Sequence, residues 1–217
     1  MSEQTRARVR ITFAKGRAVK YVSHLDLLRV WERVLRRAEA PLAYSQGFHP
    51  HPQISIAMPS PVGCTGAREE LDVILDRSLD GETLLACLAP QMPPGLKAIS
   101  AAEVPFKGPS RTSLIRGAEY EVTLAEVTLD EVQRRVDNLL ARSSAPITFR
   151  RKQYDLRPLI ADLTVQQQDD VVIVDMSLLR DAKGRIGRPD VVVQALDLSA
   201  SVRTMHRKQI IFAEEET

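Results

Sequence analysis

A chain of 217 residues, 44% apolar and 27% charged, can bury a core in one large domain or two small ones, which excludes wholesale disorder. No apolar run approaches the roughly 20 residues of a bilayer-crossing helix, MSEQTRARVR lacks the apolar centre of a secretory signal, and two cysteines supply neither a disulfide framework nor a zinc ligand set. The net charge of +2 is uneven, with ten Lys and Arg against three acids in residues 1–37, an excess suited to an anionic partner or to a solvated surface. No membrane contact and a cytoplasmic location are expected.

From Arg6 to Ala14 the chain alternates, with Ala7, Val9, Ile11 and Phe13 on one side and Arg8, Arg10 and Thr12 on the other. That period predicts a half-buried strand. Ser23-His24-Leu25-Asp26 reads as a capping box. The helix behind it stacks Leu27, Leu28, Trp31, Val34, Leu35 and Ala38 on one stripe and leaves Arg29, Arg33, Arg36 and Arg37 off it. Pro41 closes it. Tyr44 to Gly63 then holds Pro50, Pro52, Pro59 and Pro61 together with His49 and His51. Proline fixes φ and restricts the preceding residue, so this is a preorganised loop carrying ionisable groups, with Tyr44 and Phe48 to pack it.

A short strand over Gln53–Met58 follows, then a strand over Glu70–Asp76 with Leu71, Val73 and Leu75 inward. Asp80 caps a helix to Leu88, and Leu96–Val104 is a further strand. The order is βαββαβ, a ferredoxin-like plan. Pro105–Gly117 reads as a linker. Beyond it come a strand at Tyr120–Leu124, a helix capped by Thr128 with Glu131, and strands at Ile147–Arg151, Leu159–Gln166 and Val171–Leu179. A short helix opens at Arg188-Pro189, a last strand runs over Val202–Phe212, and a frayed tail covers Ala213–Thr217. The expected fold class is therefore α+β: two tandem ferredoxin-like domains over residues 1–106 and 117–217, the second with an extra strand.

Three histidines are candidates for acid–base chemistry: His24, His49 and His51. His24 sits in the first turn of a capped helix, where the dipole disfavours imidazolium, so a neutral ring could act on an RNA 2′-hydroxyl. His49 and His51 have the spacing of a strand-borne metal pair, with Cys64 and His24 as further donors. The flanking prolines favour a splayed polyproline turn instead, and no metal is expected. Candidate binding residues are Tyr44, Ser45, Gly47, Phe48, His49 and His51 of the loop, and Arg33, Arg36 and Arg37 of the helix. Arg8 and Arg10 share a strand face, but Glu70, Asp72 and Asp76 are placed to neutralise it across the sheet. No phosphate-binding glycine loop, dinucleotide fingerprint or nucleophile elbow is present, and no cysteine run for an iron–sulfur cluster.

Through Tyr21-Val22-Ser23-His24-Leu25-Asp26, Tyr44-Ser45-Gln46-Gly47-Phe48-His49-Pro50-His51-Pro52, Pro61-Val62-Gly63 and Glu69-Glu70-Leu71-Asp72, the chain closely resembles the radical-SAM-linked protein family. This is a bacterial domain of unknown function, found as a separate chain or fused behind a B12-binding radical SAM protein. Arg188-Pro189-Asp190 and Val202–Arg207 are similar to its C-terminal pattern. The family usually has Asn before the Pro-His-Pro, where this chain has His49, so the resemblance assigns no imidazole chemistry there. It implies a radical SAM protein as partner, no cofactor on this chain, and a non-catalytic accessory role in presenting or binding an RNA-type substrate. The tandem plan is also similar to that of CRISPR repeat-processing endoribonucleases and one class of pseudouridine synthase. That analogy of fold makes a metal-independent endoribonuclease the alternative. An aspartate nucleophile could only be Asp26 or Asp72, and Asp26 already has a capping role.

Overall fold

The computed structural model describes residues 6–213, so the expected tail lies, beyond Ala213, outside the described residues. The chain forms two compact units, Met1–Leu114 and Ile115–Thr217. Both belong to a mixed α+β class with antiparallel strand pairing and few helices. No described helix is long and apolar enough to cross a membrane.

In the first unit β1 (Ala7–Lys15) lies between β3 (Cys64–Leu75) and β4 (Leu96–Val104), and β2 (Ile54–Ile56) pairs with β3. The order is β4-β1-β3-β2. Helices α1 (His24–Arg37) and α2 (Gly81–Leu88) follow β1 and β3. Alternation on β1 buries Val9, Ile11 and Phe13 together with Leu71, Val73 and Leu75 of β3 and with Leu27, Trp31, Val34 and Leu35 of α1. Phe13 and Trp31 meet edge to face, ring centres 4.9 Å apart, the geometry that aromatic quadrupoles favour. Ser23 caps α1 by accepting the Asp26 N–H. The helix stops before Pro41: Glu39 takes φ 55° and the Ala40 N–H bonds back to the Leu35 carbonyl at 3.1 Å, a left-handed exit that frees the chain to leave the helix.

In the second unit β5 (Ile115–Leu124) lies between β10 (Val202–Phe212) and β9 (Val171–Leu179), and β8 (Ile160–Gln168) pairs with β9, giving β10-β5-β9-β8. Helices α3 (Leu129–Leu140) and α4 (Pro189–Ala195) follow β5 and β9 in sequence. Buried Val132, Val136 and Leu139 of α3 and Val122, Leu124, Val174 and Met176 of the sheet form its interior.

Several expected boundaries are corrected. The Gln53–Met58 strand shrinks to three residues opposite Leu71–Val73, while β3 begins as early as Cys64. Part of the expected linker is structured: Arg111–Leu114 is a 3-10 turn and β5 has begun by Ile115. The largest correction is at Ile147–Arg151. There the chain does not continue as one strand but doubles back, β6 (Pro146–Phe149) pairing with β7 (Lys152–Asp155) as a separate hairpin. Arg150 and Arg151 make the turn at φ 49° and 64°. Two-residue hairpin turns of this hand normally use Asn-Gly, because both central residues need positive φ.

Asp155 closes the hairpin at its base. Its Oδ1 accepts the Ala145 N–H at 2.7 Å and the Arg157 N–H at 3.0 Å, and the Ala145 bond is the chief cause holding its carboxyl below the usual carboxylate range. A depressed folded value stabilises the fold above the unfolded carboxylate value of about 3.9, and that contribution is lost as pH falls through the folded value. Asp155→Asn keeps one acceptor but not the charge. We expect it to melt below wild type at pH 7 and the gap to narrow as pH falls below the unfolded carboxylate value of about 3.9 in parallel thermal scans; an unchanging gap would remove the carboxylate from this role.

Candidate functional site

Two segments of the first unit converge on the start of α1. Lys20 accepts the Gly63 N–H at 2.8 Å, and Lys15 Nζ reaches both the Lys20 carbonyl, at 3.3 Å, and Ser60 Oγ, at 3.1 Å. These bonds hold the Pro61–Gly63 segment against Tyr21, whose ring lies under Lys20 Nζ at 4.9 Å. Tyr21, Leu25 and Val62 are all exposed. Sequence periodicity had no means of marking Tyr21 and Val62, since an exposed apolar residue in a loop breaks no pattern, whereas Leu25 is the second residue of α1 and lies off its buried stripe.

At the cap itself Ser23 Oγ donates to Asp26 Oδ2 at 2.7 Å and Arg29 donates to Oδ1 at 2.9 Å. The Ser23 hydroxyl first, and Arg29 after it, keep this carboxyl below its ordinary range. Asp26 is thus engaged as an ionised cap. His24 is half-buried and its Nδ1 has no hydrogen-bond partner among the described residues.

The proline-rich loop closes on itself between Tyr44 and Pro52. The Ser45 N–H donates to the His51 carbonyl at 2.9 Å, the His51 N–H donates to Ser45 Oγ at 3.1 Å, and that oxygen lies 3.0 Å from His51 Nδ1. His51 Nδ1 is also 3.4 Å from the His49 carbonyl. The imidazole of His51 is therefore a brace of the turn. Residues 46–51 project into solvent, and Gly47, at φ +128°, takes a conformation closed to side-chain-bearing residues. Phe48 corrects the expectation that it packs the loop: it is fully exposed. Tyr44 does anchor the loop. Its hydroxyl accepts from Arg36 Nε at 3.3 Å, and the Arg36 guanidinium lies 5.8 Å from its ring centre.

Arg36 also pairs with Glu32 at 2.8 Å. Arg33 and Arg37 are exposed and make no hydrogen bond or ion pair with the described residues. The strand arginines differ. Arg8 grips Asp72 through Nε at 2.9 Å and through Nη2, and Arg10 holds the same carboxylate at 2.9 Å. Arg111 forks onto Glu70 at 2.6 and 3.2 Å, and Arg6 reaches Asp76 at 3.2 Å. Asp72, with two arginines on it, is as fully engaged as Asp26. The arginines of the sheet face are thus engaged by carboxylates, while Arg33 and Arg37 of α1 have no such partner among the described residues.

The structure thus brings Arg36 to Tyr44 and Ser45 to His51, and makes no hydrogen bond from His24 to either of the other two histidines. Among the described residues no group of three or more His, Cys, Asp or Glu side chains is placed to hold a metal.

The model of a bacterial family described as an uncharacterized protein conserved in bacteria (DUF2344) matches residues 8–189. No curated protein matches significantly. Among solved structures, a Cbf5-Nop10-Gar1 complex aligns at TM-score 0.46 and 9% identity, over 96% of this chain and 50% of that one. An archaeal box H/ACA Nop10-Cbf5 complex aligns at 0.45 and 12%, over 97% and 50%. An unknown protein from Galdieria sulphuraria aligns at 0.28 and 13%, over 90% of each chain. The chain spans about half the length of the first two, and at these scores the likeness carries neither fold nor function.

Proposed function

We propose, since the chain belongs to this family of uncharacterized proteins conserved in bacteria (DUF2344), that it is a non-catalytic accessory protein which holds an RNA-type substrate for a radical SAM enzyme. The radical chemistry lies with the partner, as the resemblance of the Tyr21–Asp26 and Tyr44–Pro52 motifs implies. The two units are read as tandem ferredoxin-like domains, the second carrying the β6–β7 hairpin as an insertion. What supports this is the shared order β4-β1-β3-β2 and β10-β5-β9-β8, in which each first strand lies between the last and the third.

One observation carries the binding reading. Arg33 and Arg37 are exposed and unpaired on the helix whose Arg36 stacks on Tyr44, beside a loop that presents a fully exposed Phe48. Cations for phosphates and an aromatic face for bases are the two elements of single-strand binding. The test is Arg33→Gln/Arg36→Gln/Arg37→Gln, titrated with single-stranded RNA across salt. Each lost phosphate contact lowers the log–log salt slope by about 0.7, so the triple variant is expected to flatten it by up to about 2 with little change in Tm. Wild type that fails to bind at low salt, or a variant with an unchanged slope, rejects the face.

The endoribonuclease alternative rests on His24, with its buried, unpartnered Nδ1. It requires cleavage of structured RNA in chelator, lost by a factor of about 10²–10⁴ on replacing the acting histidine. We expect no cleavage by wild type. We also expect His49→Asn to bind as wild type and Gly47→Val to bind at least about fivefold more weakly, because a β-branched residue forces the turn out of φ +128°. Cleavage abolished by His24→Ala would reverse the assignment.

A further inference from the structure

The β6–β7 hairpin and the segment between β9 and α4 enclose a cleft of about 560 Å³ in the second unit, a size typical of small-ligand sites. Two aromatic rings, Phe149 and Tyr154, and four cations, Arg150, Lys152, Arg185 and Arg188, line it, and no carboxylate does. The guanidinium carbons of Arg150 and Arg188 lie 5.3 and 5.1 Å from the Phe149 ring centre, and that of Arg185 lies 5.3 Å from the Tyr154 ring centre. The arginines therefore present flat, oriented faces.

Two of these cations are held from behind. Asp181 accepts from Arg185 Nε at 2.7 Å while also bonding the Lys183 and Arg185 N–H groups at 2.9 and 2.8 Å. Asp190 accepts from Arg188 at 3.1 and 2.8 Å. Arg150 and Lys152 are exposed and make no ion pair with the described residues. The cleft thus has two neutralised, fixed guanidinium planes and two uncommitted charges. Burial, the chief cause, raises the Tyr154 phenol above its ordinary value, so it stays a neutral donor beside an anion. The turn that sets Arg150 in place uses left-handed backbone at two arginines, a conformation that side-chain-bearing residues disfavour. Such strain concentrates where a chain positions groups for use.

We infer that this cleft is a nucleotide-binding site, which takes a base against the guanidinium and aromatic faces of Arg185, Arg188, Phe149 and Tyr154 and its phosphate on Arg150 and Lys152. Flat faces suit a heterocycle, as stacking on aromatic rings and guanidinium planes is how unpaired bases are held. Gln153, also on the lining, supplies an amide for a base edge. Either a free nucleotide or one residue of a single strand has this chemistry. The site is built wholly from residues of the second unit and uses none of α1.

The full chain is titrated by calorimetry with AMP and with ribose 5-phosphate, and by fluorescence anisotropy with a labelled hexauridylate. AMP is expected to bind at least tenfold more tightly than ribose 5-phosphate. Arg150→Gln/Lys152→Gln should weaken AMP at least tenfold, and Phe149→Leu, which keeps the apolar contact, by fivefold or more. Arg33→Gln/Arg37→Gln should leave AMP binding unchanged, which separates this site from the α1 face. Hexauridylate binding that needs Arg150 and Lys152, with no affinity for AMP, also supports the site and identifies a strand as its source. Equal affinity for AMP and ribose 5-phosphate, hairpin variants that bind like wild type, or binding of neither probe overturns the inference.

Discussion

Asp72→Ala is expected to destabilise the first unit by about 3–5 kcal/mol, the range for a buried ion pair broken on one side. The Asp72 side chain is 6% exposed, and those of Arg8 and Arg10 are 11% and 14% exposed. Removing the carboxylate leaves the desolvated Arg8 without its ion pair and Arg10 with its longer contact to Glu70, at 3.8 Å, a carboxylate that Arg111 also holds. The cost comes from under-compensated buried charge rather than from the lost attraction. Arg8→Met/Arg10→Met/Asp72→Leu should therefore recover most of it, since well-packed apolar groups often replace a buried cluster at little cost. Chemical denaturation of the three proteins decides the matter. A single variant that loses under 1 kcal/mol, or a triple variant no better than the single, would show the cluster to be hydrated and energetically idle.

Trp31→Ala should cost a similar amount, about 3–5 kcal/mol, by opening a cavity between α1 and the Phe13 strand. Trp31 is fully buried, yet its indole N–H has no acceptor among the described residues. A buried unpaired donor costs about 1–3 kcal/mol, so Trp31→Phe removes a penalty along with volume and should lose far less than the alanine variant. Because α1 carries Arg33 and Arg37, the alanine variant should also weaken the RNA binding proposed for that face under conditions where the phenylalanine variant does not. Equal losses in the two variants would mean that the indole N–H is satisfied, by a bound water for example.

Where a periodic pattern coincided with a single buried face, the sequence was legible. The alternation Val9-Ile11-Phe13, the stripe Leu27-Trp31-Val34-Leu35, the Ser23 and Thr128 caps and the whole of Val171–Leu179 could be read directly, because each follows from local geometry. The Arg150-Arg151 turn could not. Its left-handed backbone is normally announced by Asn or Gly, and two arginines announce nothing, so a hairpin looked like one strand and the cleft beside it went unseen. Phe48 misled in the opposite way: an aromatic residue among prolines suggested packing, while the bonds that shape the loop come from Ser45 and His51. The uncommitted charge was only half legible. That Arg33 and Arg37 lie off the buried stripe follows from helical spacing, but that they lack acidic neighbours is a fact of three dimensions.

The edge-to-face contact of Trp31 on Phe13 has a spectroscopic consequence. The chain contains a single tryptophan, and it lies in the interior of the first unit. Emission excited at the red edge of protein absorption therefore originates from that unit alone, while the far-ultraviolet circular dichroism of the sheets sums over both. Recording the two signals along one denaturant gradient resolves whether the units melt together or in succession. Coincident curves mean one cooperative transition, and displaced curves assign each midpoint to its own half of the chain without a label or a truncation.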